Sequence, residues 1–430
     1  MRTTAWIVLA LVPVAALAAP ALLGLVAERQ SDRLVARLDA RPGITVELES
    51  FRRGWFSSQA RHRARIALPP AVGGESGDPL PPLDALEFVA DSHYRHGPLP
   101  RGRLGLARID TALEVTSAQQ SGPSPTLRAT TRFGLAGGLR ARLELPATEW
   151  RPRRDYGEIT WQGGEVRIRT DGALRRVEAE ARAAPLRFRD AAASGELEHL
   201  LVKLSLRRRD GLWTGDGRVE TQGLHVWTHI APRQPTQIDG LVGDWSLRSR
   251  DALLEAHLDA AAEHLQFAGA DGRRVRIDGG AGRLDPDALG ELVTLLASVL
   301  HNGGRGLVRG TLPAVPALLP PGPWLSVRTL EADLPVGTVS STVELQLPEL
   351  RPARATPARA AFGASLDAQL RLPPSLLAPL RAQPGIGRWV DVAVNAGALV
   401  RDGDSYRLDA HYDSGLLVIN GRALPVPVPD

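Results

Sequence analysis

The chain has 430 residues, 43% hydrophobic and 23% charged, a length and balance that suit two or three folded units with a sizeable core. It contains no cysteine, which excludes disulfides, thiolate metal sites, iron–sulfur clusters, cysteine nucleophiles and an acylated-cysteine anchor. Formal net charge is only +4, with Lys203 the sole lysine, and no arginine block resembles a nucleic-acid arm, so no nucleic-acid partner is expected.

The first element in chain order is apolar. From Ala5 to Ala27 the sequence carries no charge, and as a helix this stretch would span about 34 Å, enough for the hydrocarbon core of a bilayer. Residues 1–27 are therefore expected to form one N-terminal transmembrane signal-anchor. The competing reading is a cleaved signal peptide with Ala16-Leu17-Ala18 as its processing site; against it, the apolar run continues through Val26. Residues 28–42 read as a helical stalk.

From residue 43 the dominant period is two. "ITVELESF" sets Ile44, Val46 and Leu48 against Thr45, Glu47 and Glu49, and the alternation returns at Val166/Ile168, Val177/Ala179/Ala181, Leu200/Val202/Leu204/Leu206, Val343/Leu345/Leu347, Val390/Val392/Val394 and Leu408/Ala410/Tyr412. Such alternation marks half-buried strands of antiparallel sheet. Asp-Gly pairs at Asp171, Asp210, Asp216, Asp271 and Asp402, with Asn420-Gly421 near the end, supply tight hairpin turns. The clearest globular helix is expected from Asp285, as N-cap, to His301, and a shorter one after Pro374. A boundary near Pro232-Arg233-Gln234-Pro235 divides two β-rich regions, 43–232 and 233–430. The expected fold class is mainly β: long antiparallel amphipathic sheets with few helices, closed as a sandwich or open as a curved groove.

Motifs for chemistry are scarce. There is no Walker A loop, no H-E-x-x-H and no G-x-S-x-G elbow. His225 and His229 lie four apart in a strand, about 13 Å, too far to share a metal. Asp91, His93 and His96 could form an acid–base group, but His96-Gly97-Pro98 reads more simply as a turn. No catalytic residue, metal ligand or cofactor is assigned.

"FRRGWFSSQA" concentrates Arg53, Gly54, Trp55, Phe56, Ser57 and Ser58 between two amphipathic strands. It is expected to be a structural corner: Gly54 frees the tip, Trp55 and Phe56 fold back over the sheet end, and the serines bond nearby backbone. The rival is an aromatic tip that meets a partner or a membrane surface.

With its N-terminal anchor, the "VELESFRRGWFSSQARHRARI" segment, "YRHGPLP" with His96, Gly97 and Pro98, and "YRLDAHYDSGLLVINGRALPVP" with Asn420 and Gly421, the chain resembles the YdgA-like family of bacterial membrane-anchored envelope proteins. The landmarks sit at both ends; residues 120–380 carry no matched motif. The resemblance implies a single inner-membrane anchor with the body in the periplasm, and it carries over no catalytic residues. Two functions are expected on these grounds. One is a non-enzymatic binding or scaffold role, with lipid or an envelope protein as partner on a sheet face. The alternative is an envelope hydrolase whose site the sequence does not display.

Overall fold

A computed structural model describes residues 44–67, 85–96, 106–117, 123–134, 137–151, 157–189, 193–209, 211–228, 236–267, 270–290, 315–351, 356–382 and 387–425. The expected anchor, stalk and region boundary lie outside these residues, as does the expected helix beyond residue 290. Among the described residues, no helix is long and apolar enough to cross a membrane. The chain is mainly β with few helices, and its 23 described strands pair antiparallel in a large sheet. Contacts divide it into two compact units: residues 1–207 with 220–236, and 208–219 with 237–430.

The first unit is a meander. β1 (Ile44–Arg53), β2 (Ser57–Ala67), β3 (Ala85–His96), β4 (Ala107–Ser117), β5 (Thr126–Phe133) and β6 (Leu139–Leu145) pair in succession. There follow β7 (Thr148–Trp150), β8 (Glu158–Trp161), β9 (Gly164–Thr170), β10 (Arg176–Ala183), β11 (Leu186–Arg189), β12 (Ala193–Arg209) and β13 (Leu212–Thr228), of which residues 208–219 at the adjoining ends of β12 and β13 count with the second unit. In register, β6 and β7 act as one interrupted strand, as do β8 with β9 and β10 with β11. Leu145 faces Gly164 and then Thr148 faces Trp161; Ala183 faces Leu200 and then Leu186 faces Leu197. All three interruptions fall at one level and make a crease across the sheet. Its chemistry is local: Pro146 and Pro185 have no N–H for the ladder, and Gly163 takes φ 113°. The crease is held by Gln162 N–H donating to Pro185 O at 3.0 Å and Ala184 N–H to Gly163 O at 2.8 Å.

Alternation gives this sheet two unlike faces. Across β5, β6, β9, β10 and β12 one row reads Ala129, Leu143, Val166, Ala181, Val202, and the next row on the same face reads Thr131, Ala141, Ile168, Ala179, Leu204. The opposite face carries Thr130, Arg142, Arg167, Glu180 and Lys203 at the intervening positions. It is laced with ion pairs: Glu165 accepts from Arg142 and Arg167 at 2.6 Å each, and Arg182 meets Glu180 at 2.7 Å. In β1 the alternation slips at a bulge between Leu48 and Ser50, which lets Phe51 rejoin the face of Leu48. The bulged Glu49 bonds Arg63 at 2.6 Å and Arg61 at 3.0 Å, and the Arg63 hydrogen bond holds its carboxyl below the usual range.

The second unit repeats the principle. β14 (Thr236–Arg250), β15 (Leu253–Phe267), β16 (Ala270–Leu284), β17 (Trp324–Leu334), β18 (Gly337–Gln346) and β19 (Ser365–Leu372) follow one another. β20 (Val400–Asp402) and β21 (Ser405–Asp413) come next, and β21 pairs with β19. β22 (Leu416–Ile419) and β23 (Arg422–Pro425) close the series. Here a core forms: Leu372, Leu377, Val390 and Leu399 are buried, with Leu370, Leu380, Val394 and Leu408 packed around them.

That core corrects one expectation. Residues Gly387–Asn395, read as a strand through Val390/Val392/Val394, form a helix. Val390 and Val394, one helical turn apart, face the core while Val392 is 50% exposed, so burial by neighbouring elements overrides β-branched preference. The short helix after Pro374 is present at Leu377–Ala382. The start of the Asp285 helix is also present: Asp285 Oδ1 accepts from the N–H groups of Asp287 and Ala288 at 3.0 Å, as an N-cap should. Two Asp-Gly pairs are not turns, because Asp216-Gly217 lies inside β13 and Asp271-Gly272 inside β16. Gly217 sits under the Trp245 indole and Gly282 under that of Trp324, with no room for a Cβ. An aromatic ring laid on a strand glycine restores the packing that glycine lacks.

Candidate functional site: a clasped aromatic tip beside an apolar face

The β1–β2 hairpin closes through Gly54, Trp55 and Phe56. Gly54 N–H donates to Ser57 O at 2.8 Å, and a Cβ on Gly54 would lie 2.6 Å from that oxygen, so the close approach demands glycine. The tip is also tied to the end of β3, where the His96 N–H donates to Phe56 O at 2.8 Å.

Beneath the tip lies the most deeply buried side chain among the described residues. Ser58 is 1% exposed, and its Oγ lies 2.9 Å from Nε2 of His96, itself 5% exposed. The β2–β3 register creates this pair, since Ser58 faces Tyr94 and Ser57 faces Arg95, which brings His96 alongside the hairpin end. Tyr94 packs between Phe51, at 6.1 Å between ring centroids, and His96, at 6.4 Å. Burial pushes the His96 imidazole below its ordinary pKa, and neighbouring His93 pushes it further, so the ring is neutral near neutral pH. Among the described residues Nδ1 of His96 has no hydrogen-bond partner.

Trp55 and Phe56 stand out from this clasp at 56% and 55% exposure. The expectation that they fold back over the sheet end is thereby overturned, because Ser58, Tyr94 and His96 already fill the space behind the turn. Ser58 likewise bonds the His96 ring rather than nearby backbone. Arg53 ends β1 opposite Ser58, and Ser57 is exposed. Gly97 and Pro98 lie outside the described residues.

Asn420 and Gly421 belong to the second unit. They form the two-residue β22–β23 turn, with φ of 47° and 80°. Asn420 also acts as a latch: its Oδ1 accepts from Asp409 N–H at 2.9 Å, and its Nδ2 donates to Gly397 O at 3.1 Å and Ala398 O at 2.9 Å. That role sets it apart from an ordinary turn residue.

What the clasp can do chemically follows from its burial. A serine within 2.9 Å of a neutral histidine is the first half of a nucleophilic triad. At 1% exposure, however, Oγ offers no path to a substrate, and among the described residues no carboxylate orients Nδ1. Elsewhere, His264 bridges Asp239 at 3.0 Å and Asp271 at 2.8 Å, and both bonds raise its pKa. An open depression of about 430 Å³ is lined by Arg248, His257, Trp324 and Arg328. Among the described residues no group of three or more His, Asp or Glu side chains is placed to hold a metal ion.

The apolar face behind the clasp grades from covered to open. Val46, Ala60, Tyr94 and Val115 on β1–β4 are buried, whereas Ala129, Leu143, Val166, Ala181 and Val202 are only half-buried. No curated protein and no solved structure matches the chain. A family does match across almost its whole length, residues 1–427, and the chain belongs to it: DUF945, described as bacterial protein of unknown function.

Proposed function

We propose that this is a YdgA-like envelope protein, held in the bacterial inner membrane by residues 1–27 with its body in the periplasm. In this reading it is a non-enzymatic binding protein that holds lipid, or another extended apolar ligand, on the apolar face of its first sheet. The observation that carries the reading is the half-burial of the row from Ala129 to Val202, in the middle of a wide sheet whose other face is charged and ion-paired. A row packed under a second layer would be sealed, as core residues are. An apolar face left half-wet over so many strands calls for an occupant. Small side chains at Ala129, Ala141, Ala179 and Ala181 leave shallow room along it. The uncharged Ala5–Ala27 stretch and the paired landmarks at residues 53–58 and 420–421 support the anchor and the family resemblance.

The test exploits the two faces. A photoreactive amino acid placed at Val166 or Val202 of the full chain in cells is expected to crosslink to phospholipid, whereas the same group at Arg142 or Arg167 is not. Equal labelling from both faces, or none from either, would sink the reading.

A second reading, envelope hydrolase, has one observation in its favour, the 2.9 Å Ser58–His96 hydrogen bond. A fluorophosphonate probe separates the two: covalent labelling of Ser58 that vanishes in His96→Ala would establish a nucleophile, and a buried clasp leaves the protein unlabelled.

A further inference from the structure

The sheet face leaves Trp55 and Phe56 without a role. They are adjacent, more than half exposed, and held by a turn that is tied down at Gly54, Ser58 and His96. Aromatics left in water on a rigid mount are pre-organised for contact, since little ordering entropy remains to be lost. The charged residues of the hairpin tip itself are cationic. Arg52 and Arg53 precede the turn, Arg95 stands opposite Ser57 on β3, and residues 51–58 contain no carboxylate.

Magnitude decides between a protein and a bilayer as the occupant. Two aromatic side chains bury roughly 150–250 Å² each. That is far below the ~1,200 Å² of a stable protein–protein interface. Binding to a lipid surface has no such threshold, because a few apolar groups and a few cations contribute additively beside other attachments. Trp and Arg suit that boundary: the indole places an apolar body and a polar N–H across it, and guanidinium groups bond phosphate oxygens.

We propose that the Trp55–Phe56 tip docks on an anionic lipid bilayer, with Arg52, Arg53 and Arg95 on the phosphates and the two rings in the headgroup–acyl boundary. This goes beyond the sheet-face reading and does not depend on it.

The absence of cysteine makes the test direct, because a single introduced cysteine is a unique label. Full-length Ser57→Cys, carrying an environment-sensitive fluorophore, is mixed with vesicles of phosphatidylethanolamine and phosphatidylglycerol containing nitroxide-labelled lipid. Asp404→Cys, in the exposed β20–β21 turn, serves as control. Gln59→Cys replaces Ser57→Cys if that variant fails to fold. The expected result is several-fold stronger quenching at the tip than at the control. Quenching should be lost in a Trp55→Ala/Phe56→Ala background and reduced when phosphatidylcholine replaces the anionic lipid. Each Arg→Ala change at 52, 53 or 95 should weaken partition about fivefold. Equal quenching at tip and control, or tip quenching that survives loss of both rings, overturns the proposal. So does a label shielded in cells but untouched by vesicles, which would point to a protein partner. Docking without lipid crosslinks on the sheet face would fell the earlier reading and leave this one standing; crosslinks without docking would do the reverse.

Discussion

Ser58 and His96 matter energetically for what remains when one of them goes. In Ser58→Ala, the His96 ring would stay buried with neither nitrogen bonded among the described residues, a loss of about 1–3 kcal/mol. Calorimetry should show melting lowered by several degrees. Trp55→Ala, by contrast, removes an exposed ring and should change stability by no more than about 0.5 kcal/mol. A destabilised Trp55→Ala with an unchanged Ser58→Ala would mean the clasp has been read the wrong way round. The two landmarks that carry Ser58 and His96 are legible in the sequence; their meeting is not. It depends on the β2–β3 register, which is set by eleven cross-strand pairs and which nothing in the sequence between the two strands announces. Glu49 is a similar case, since its bulge shows in the sequence only as a missed beat between Leu48 and Phe51.

At the scale of elements, strands are legible because water lies on one side of them and apolar neighbours on the other. The helix Gly387–Asn395 is hidden in the sequence because Val390, Val392 and Val394 satisfy a period of two by chance, while Ala393 and Val394 complete the helical stripe with Val390. Its two valine environments provide a test. Val392→Ser should be near neutral, and Leu377→Ala, in the core that the helix covers, should cost about 2–5 kcal/mol. Chemical denaturation measures both, and equal costs would mean that Val392 is as buried as Leu377. The crease was legible only in pieces. Pro146, Gly163 and Pro185 each mark a break, but only the ladder reveals that the breaks align.

At the scale of the whole molecule, mild acid should affect the two units in opposite senses. The folded pKa of His96 is depressed by burial, so the unfolded chain takes up its proton first as pH falls. Its contribution is complete above the ordinary value of 6.5 and is lost as pH drops through the folded pKa. His264, bonded to Asp239 and Asp271, and His411, bonded to Asp367, have raised pKa values. Their contribution is complete below 6.5 and is lost as pH rises through the folded values. Hydrogen exchange, corrected for intrinsic rates, should therefore quicken in the peptides around residues 54–60 and 92–96 between pH 7.5 and 5.5. Peptides of β14–β16 and β19–β21 should slow over the same interval. Uniform behaviour across the chain would contradict both assignments.

The meander has a consequence for how the protein comes into being. Within each unit most strands pair with a strand made just before and another made just after, so a growing chain extends a template already in place. Little of the sheet waits for a distant segment, and the entropy of closing long loops is seldom incurred. Assembly can therefore keep pace with synthesis, hairpin by hairpin, from the N-terminal side. At every intermediate length, however, the last strand is a raw edge with open N–H and C=O groups. Arginines spaced along β2, β6, β9 and β10 place charge beside each such edge in turn, guarding the unfinished sheet against a second unfinished sheet.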